Sequence, residues 1–356
     1  MGRRRSLQSR FVARWASDLG DSPPAVPFSH FQAQVGVNQL RHQGQTPHCL
    51  LLQDSAGAVV ASWVLYTGRG DPIAPAKGRA SAALDLHLQS IHGPVLSTRL
   101  LPTETAAARG ACLEAVRHRA RWLAPITCTL ALDPLLAEDE RRAWREAAIA
   151  YGFVPTPRFT YYIDLPDTRE ELLAAIRPDR RTKIRKAERA GVRLEHVLAP
   201  NGLHDYHDVR NQTRRRTGFE PIPWLWFEEM AKAFRGTDVF HVFTASLGGR
   251  CAAAQLAFVW YGYVFLAGVS VADWTLEKRI PANDLLQFGV LDWAREHRCR
   301  TVDFVGAHPG TQDSKIRAID AFKARWGTTI GESLELSLPG SDLRRRALRL
   351  AQMVGR

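Results

Sequence analysis

The chain repeats itself, and that repeat limits the folds open to it. Residues 48–67 read as an apolar run, the turn Asp54-Ser55-Ala56-Gly57 and a second apolar run; residues 240–260 read the same way around Ser246-Leu247-Gly248-Gly249. Turn residues between two strand-length apolar runs predict a β-hairpin in each place. The same succession follows each hairpin. In the first half a helix at 106–123 precedes a strand at 126–132, then a helix at 138–150 and a strand at 160–165; in the second half the counterparts are 283–296, 301–305, 315–325 and 333–338. Each half is therefore a hairpin followed by β-α-β-α-β, a mixed sheet with flanking helices, in an α/β (α+β) chain of two tandem domains.

A length of 356 residues suits two domains better than one core. The segment 151–158, with two prolines, marks the crossing, and the domains are placed at 12–157 and 158–340, with a basic tail at 341–356. A Pro/Gly-rich loop is expected at 67–78. Leu286, Val290, Trp293 and Ala294 fall at i, i+4, i+7 and i+8, the core face of a helix that Asn283 is placed to cap. The uncharged stretch 252–272 is long enough to span a bilayer. Gln255 and the turn Trp260-Tyr261-Gly262-Tyr263 split it into two strand-length pieces, which predicts a buried hairpin instead.

The net charge of +12 and a pI near 9.9 give a surface field that attracts nucleic acid, nucleotide-linked substrates, acyl-CoA or an anionic membrane face. The five cysteines, Cys49, Cys112, Cys128, Cys251 and Cys299, are scattered without a CxxC pair, so neither a disulfide framework nor a zinc site is indicated. The start MGRRRSLQSRFVARW lacks the apolar core of a signal peptide. A cytoplasmic protein without stable membrane insertion is the expectation.

Between Arg177 and Arg193 the string RPDRRTKIRKAERAGVR holds eight Arg or Lys residues against two acids. Ile184 and Ala187 give it an apolar seam, Pro178 suits a helix start and Gly191 a C-terminal cap. This short basic helix is either a solvated face or an anion-binding one, since clustered like charges repel unless an anion offsets them. His204 and His207 with Asp205 and Asp208 lack a third convergent ligand, so no metal is expected. The loop Gly306-Ala307-His308-Pro309-Gly310 is a weak phosphate-loop candidate. Neither a GxSxG elbow nor a Walker A loop occurs, which sets hydrolase and NTPase chemistry aside.

The segment Thr182-Lys183-Ile184-Arg185-Lys186-Ala187, ending in Gly191-Val192, resembles the basic stretch that opens the second domain of Fem-type (FemABX-like) aminoacyltransferases, members of the GNAT acyltransferase superfamily. Three further segments match in order: Arg215-Arg216-Thr217-Gly218 with 223–230; 284–306 with Trp293-Ala294 and Val302-Asp303-Phe304; and Phe322-Lys323 with Trp326-Gly327. The resemblance covers most of residues 158–340. It implies two GNAT-like domains and transfer of an amino acid from aminoacyl-tRNA to an amine of a peptidoglycan precursor or another small molecule, with no cofactor. It places Lys323 in the channel for the acylated tRNA end, with Phe322 beside it and Arg181, Lys183, Arg185 and Arg189 binding substrate. Lys323 then stabilises charge on the attacked ester, or is merely a solvent-facing helix lysine. Asp303, read with Val305 on one face of its strand, either handles the acceptor amine or pairs with a basic side chain to hold the sheet.

The chain also departs from the family. Near residues 34–42 there is no Trp-containing lysine segment for the nucleotide end of a muropeptide, and Arg41 is the nearest stand-in; the coiled-coil insertion of larger members is absent. An acyl-CoA or acyl-carrier donor is the alternative, yet residues 271–283, VADWTLEKRIPAN, lack the Gly-rich loop that grips pyrophosphate at a helix start. A non-catalytic RNA- or polyanion-binding module is the third reading.

Overall fold

In the computed structural model, backbone contacts divide the chain into one unit of Met1–Arg158 with Glu332–Arg356 and a second of Phe159–Gly331. The structure describes residues 11–20, 25, 29–68 and 84–354. The basic start at 1–10 and most of the expected loop at 67–78 lie outside them.

The first half runs β1 (Val12–Ala16), α1 (Gln34–His42), β2 (Thr46–Gln53), β3 (Val59–Gly68), β4 (His87–Ser90), β5 (Val95–Leu96), α2 (Pro102–Leu123), β6 (Thr127–Ala131), α3 (Glu138–Ala150) and β7 (Val154–Asp164). The second runs α4 (Arg169–Ala175), α5 (Pro178–Arg189), β8 (Arg193–Leu198), α6 (Leu203–Arg216), α7 (Trp224–Ala233), β9 (Phe240–Leu247), β10 (Arg250–Trp260), β11 (Tyr263–Val271), α8 (Asp273–Glu277), α9 (Ala282–Glu296), β12 (Thr301–Asp303), α10 (Ser314–Lys323), β13 (Thr329–Leu338) and α11 (Asp342–Val354).

The repeat read from the sequence is present in the sheets. In the first unit β1, β2, β3 and β4 are joined by antiparallel ladders, β4 pairs β6 in parallel, and β6 pairs β13 antiparallel. In the second, β8, β9, β10 and β11 are joined antiparallel, β11 pairs β12 in parallel, and β12 pairs β7 antiparallel. The fold is thus a mixed α/β arrangement with flanking helices, in which the same ladder order occurs in each unit. The uncharged stretch 252–272 is the hairpin β10–β11. Its turn residues Tyr261 and Gly262 both have positive φ (46° and 82°), as a type I′ turn matched to strand twist requires, and glycine takes that geometry without a Cβ penalty. Among the described residues no helix is long and apolar enough to cross a membrane.

The domain bounds differ from expectation at the C-terminal end. The second domain was placed at 158–340 with a tail beyond it, yet residues 332–356 belong to the first unit. The last strand of each unit's ladder comes from the other half of the chain. Leu334 and Leu336 of β13 are fully buried in the first unit's core with Trp63, Leu113 and Leu130, while Tyr161 and Ile163 of β7 lie in the second unit's core with Val302 and Trp326. Sequence order could not reveal this, because an alternating strand reads the same whichever sheet receives it. A smaller difference is at α9, which begins one residue earlier than Asn283; Pro281 is its N-cap residue, and the Asn283 side chain caps nothing.

The exchanged strand has a measurable consequence. Leu336→Ala should destabilise the chain by about 2–5 kcal/mol in urea unfolding, the usual cost of an internal Leu-to-Ala cavity. Hydrogen exchange should accelerate in β6, its ladder partner, and an effect confined to the second unit would contradict the assignment.

Candidate active site

β11 and β12 are paired over three residues only. β11 and β12 run in parallel through Tyr263↔Thr301, Val264↔Val302 and Phe265↔Asp303, after which β12 ends and β11 continues to Val271. β11 bends there: its register against β10 shifts around Gln255, Gly268 has φ +59°, and Tyr206 of α6 donates its hydroxyl to the Gly268 carbonyl at 2.8 Å. The pairing ends at the C-terminal end of β12, the end at which α/β sheets bind ligands, which makes it the candidate site.

Asp303 stands at that end and is 2% exposed. Its carboxylate accepts hydrogen bonds from the hydroxyls of Thr160 on β7 and Tyr263 on β11, and from the Val305 amide at 2.7 Å. Burial raises its pKa above the ordinary carboxylate range, and these donors and Lys323 pull against that. Among the described residues no ion pair involves Asp303, so hydroxyls and an amide stand where a basic partner was one of the two readings. The expected strand 301–305 ends at Asp303 for the same reason. Val305 turns back with φ 56° to reach the carboxylate, and Gly306 follows at φ 69°; a β-branched residue in that region is strained by about 1–3 kcal/mol.

The turn so formed holds Lys323. From the last residue of α10 its ammonium donates to the carbonyls of Val305 and, at 2.6 Å, Gly306. Lys323 is half-buried, and desolvation lowers its pKa from 10.5, opposed by Asp320 and then Asp303. Asp320, one turn earlier on α10, accepts the His308 amide at 2.8 Å. The Ala307 amide donates to the Phe159 carbonyl at 2.7 Å, so two amides of the candidate phosphate loop already have protein acceptors.

The basic segment forms α5 as expected, with Pro178 at its start, Ile184 and Ala187 buried, and Gly191 beyond its end at φ 83°. Lys183, Arg185 and Arg189 are exposed and Arg181 half-buried. Among the described residues none of these four forms an ion pair. Sequence reading missed Arg180. It is buried, pairs with buried Asp284 of α9, and lies 5.4 Å from the centroid of the Phe322 ring. Its signal was available: Arg180, Ile184 and Ala187 are spaced i, i+4, i+7, the buried face of the helix. Thr160, Tyr263, Asp284 and Asp320 were also missed, since each acts through a partner distant in sequence.

Phe322 is half-buried beneath Arg180 and meets Trp326 edge-on at 5.8 Å. Arg41 lies in the first unit, ion-paired with Asp18 at 2.8 Å and donating to the Ser17 carbonyl. It holds Asp18 to a pKa of about 2. His204 stacks on Trp224, and His207 bonds to Asn211 and the Ile222 carbonyl; among the described residues no cluster of His, Cys, Asp or Glu could hold a metal ion.

Residues 175–323 match the family described as an acetyltransferase (GNAT) domain. The fold is similar to the crystal structure of FemX, with TM-score 0.68 and 16% identity over 92% of this chain and 94% of that one. It is also similar to a tandem GNAT protein from the clavulanic acid biosynthesis pathway, with TM-score 0.54 and 14% identity over 92% and 98%. L-PGS from Bacillus licheniformis shares it at TM-score 0.53 and 12% identity over 89% and 91%. No curated protein matches the sequence significantly. Residues 175–323 thus match a GNAT domain model, and the fold of the chain is similar to that of FemX.

The Arg180–Asp284 pair gives the site a direct test. Asp284→Ala removes the buried partner of the Arg180 guanidinium and leaves it only exposed Asp179, 3.5 Å away, so it should cost up to about 3–5 kcal/mol. Arg180→Met with Asp284→Leu should restore most of that stability in urea titrations while loosening Phe322, seen as a change in near-ultraviolet circular dichroism.

Proposed function

We propose that this chain is an aminoacyltransferase that moves an aminoacyl group from aminoacyl-tRNA to the amine of a peptidoglycan precursor or another small molecule, acting in the cytoplasm without a cofactor. One observation carries the reading: α5, with its exposed cations, is tied through buried Arg180 to the ring beside Lys323. A polyanion held on α5 is therefore held in register with the helix that supplies the site's cation. The likeness to FemX supports the same reading at the level of fold.

An aminoacyl ester is already activated, so the enzyme has to bring the amine close and stabilise an oxyanion. The amine nitrogen attacks the ester carbonyl and the carbonyl oxygen takes up negative charge; the carbonyl then re-forms as the bond to the ribose oxygen of the tRNA breaks, and the ribose oxygen takes the proton the amine gives up. Lys323 uses two of its three N–H donors on Val305 and Gly306, and the third serves the oxyanion. Asp303 faces Thr160, Tyr263 and Val305, so it acts as a positioning residue that shapes the turn holding Lys323. An acyl-CoA donor fits less well. Pro281 at the N-cap and Asp284 in the first turn of α9 occupy the helix start that would otherwise receive a diphosphate.

Incubation with charged tRNA pools and with acyl-CoA, followed by mass spectrometry of the donor consumed, tests the proposal; consumption of acyl-CoA alone would overturn it. With the true donor, Lys323→Ala should lower turnover by about two to three powers of ten, and Lys323→Arg should recover part of it. Because the lowered pKa makes the ammonium lose its proton earlier, activity should fall on the alkaline side below pH 10.5, and the arginine variant should move that limb upward. Asp303→Asn should slow turnover and lower the melting temperature together, because the amide nitrogen cannot accept and one of the three buried donors loses its partner.

Charge reversal at Arg181, Lys183 and Arg185 should weaken tRNA binding several-fold and flatten its salt dependence, since each lost phosphate contact releases fewer counterions. Unchanged affinity would reduce α5 to a solvated face.

A further inference from the structure

The last helix leaves its apolar side uncovered. On α11, Leu343 is 80% exposed, Leu350 63% and Met353 73%. With Arg346 they fall at i, i+3, i+7 and i+10, one face of a helix, and exposed Arg349 flanks it. The helix is anchored on its other side: Arg344 donates to the Leu123 carbonyl at 3.5 Å, and the Ser341 amide to the Pro125 carbonyl at 2.8 Å. These contacts set α11 against the end of α2. There Trp122, next to Leu123, is 73% exposed, with the Arg119 guanidinium 4.8 Å from its ring centroid.

The last turn of α2 and α11 together contribute Arg121, Arg344, Arg345, Arg346 and Arg349 against a single acid, Asp342. That acid is paired with Arg345. Large apolar side chains interleaved with arginines, and a tryptophan at the margin, match a boundary between lipid headgroups and acyl chains. Leucine and methionine enter the acyl region, arginines meet lipid phosphates and tryptophan sits at headgroup level. A nucleic-acid backbone would satisfy the arginines and leave Leu343, Leu350 and Met353 in water, which argues for lipid.

We propose that α11 and the end of α2 form a peripheral docking face for an anionic lipid surface. The helix lies in the interface and does not cross it. The proposal is independent of the transferase reading.

Flotation of the full chain with unilamellar vesicles, without any substrate, tests it. The chain should bind vesicles of equal parts phosphatidylcholine and phosphatidylglycerol, and far less to phosphatidylcholine alone. Leu343→Ser with Leu350→Ser should reduce binding by about tenfold or more through lost apolar burial. Arg346→Gln with Arg349→Gln should reduce it by about tenfold, given the attraction of each cation to an anionic leaflet. Both variants should keep the parent melting temperature, since these side chains are exposed. The proposal fails if the parent chain does not float with anionic vesicles, or if the serine variant floats as well as the parent. It fails too if tRNA, and not vesicles, is the ligand these two arginines hold. Because no acyl donor is present, such a failure leaves the transfer assay untouched.

Discussion

A carboxylate withdrawn from water holds the second unit's site together. Asp303 ends β12 between β7 and β11, and it is tolerated there because Thr160, Tyr263 and the Val305 amide satisfy it. The Val305 bond forces the strand to stop, placing two successive residues at positive φ. Their carbonyls then face the Lys323 ammonium. The end of β12, the strained turn and the position of the cation are thus successive consequences of one buried acid.

The two units share a pairing pattern but not a segment boundary. Each takes the last strand of its ladder from the other half of the chain: β13 with Leu334 and Leu336 in the first core, β7 with Tyr161 and Ile163 in the second. A cut after Arg158 would therefore remove from the first unit a strand that contributes fully buried leucines. Neither half of the sequence contains all the apolar surface that its own sheet has to cover.

Burial sorts the charges of α5 into two uses. Arg180, in phase with the apolar seam, is buried against Asp284 and stacked on Phe322; its geometry fixes how α5, α9 and α10 meet. Lys183, Arg185 and Arg189, one step out of phase, are exposed and form no ion pair among the described residues. A single helical period separates an internal brace from an external anion-binding row. The arginines of α11 differ again, being interleaved with exposed apolar side chains.

The sequence by itself determined the hairpins, the order of helices and strands after each, the basic helix from Pro178 and its cap at Gly191, and the segments that mark the Fem-type resemblance. These are local properties, set by turn chemistry and by apolar spacing along contiguous residues. Only the tertiary structure decided that β7 and β13 join the ladder of the other unit, that Arg180 and not its neighbours is buried, that Asp303 meets hydroxyls in place of a cation, and that Lys323 is held by the carbonyls of a turn. Each of these depends on a partner far away in sequence, and the energy of a buried polar contact belongs to the pair, so neither residue carries its signature alone.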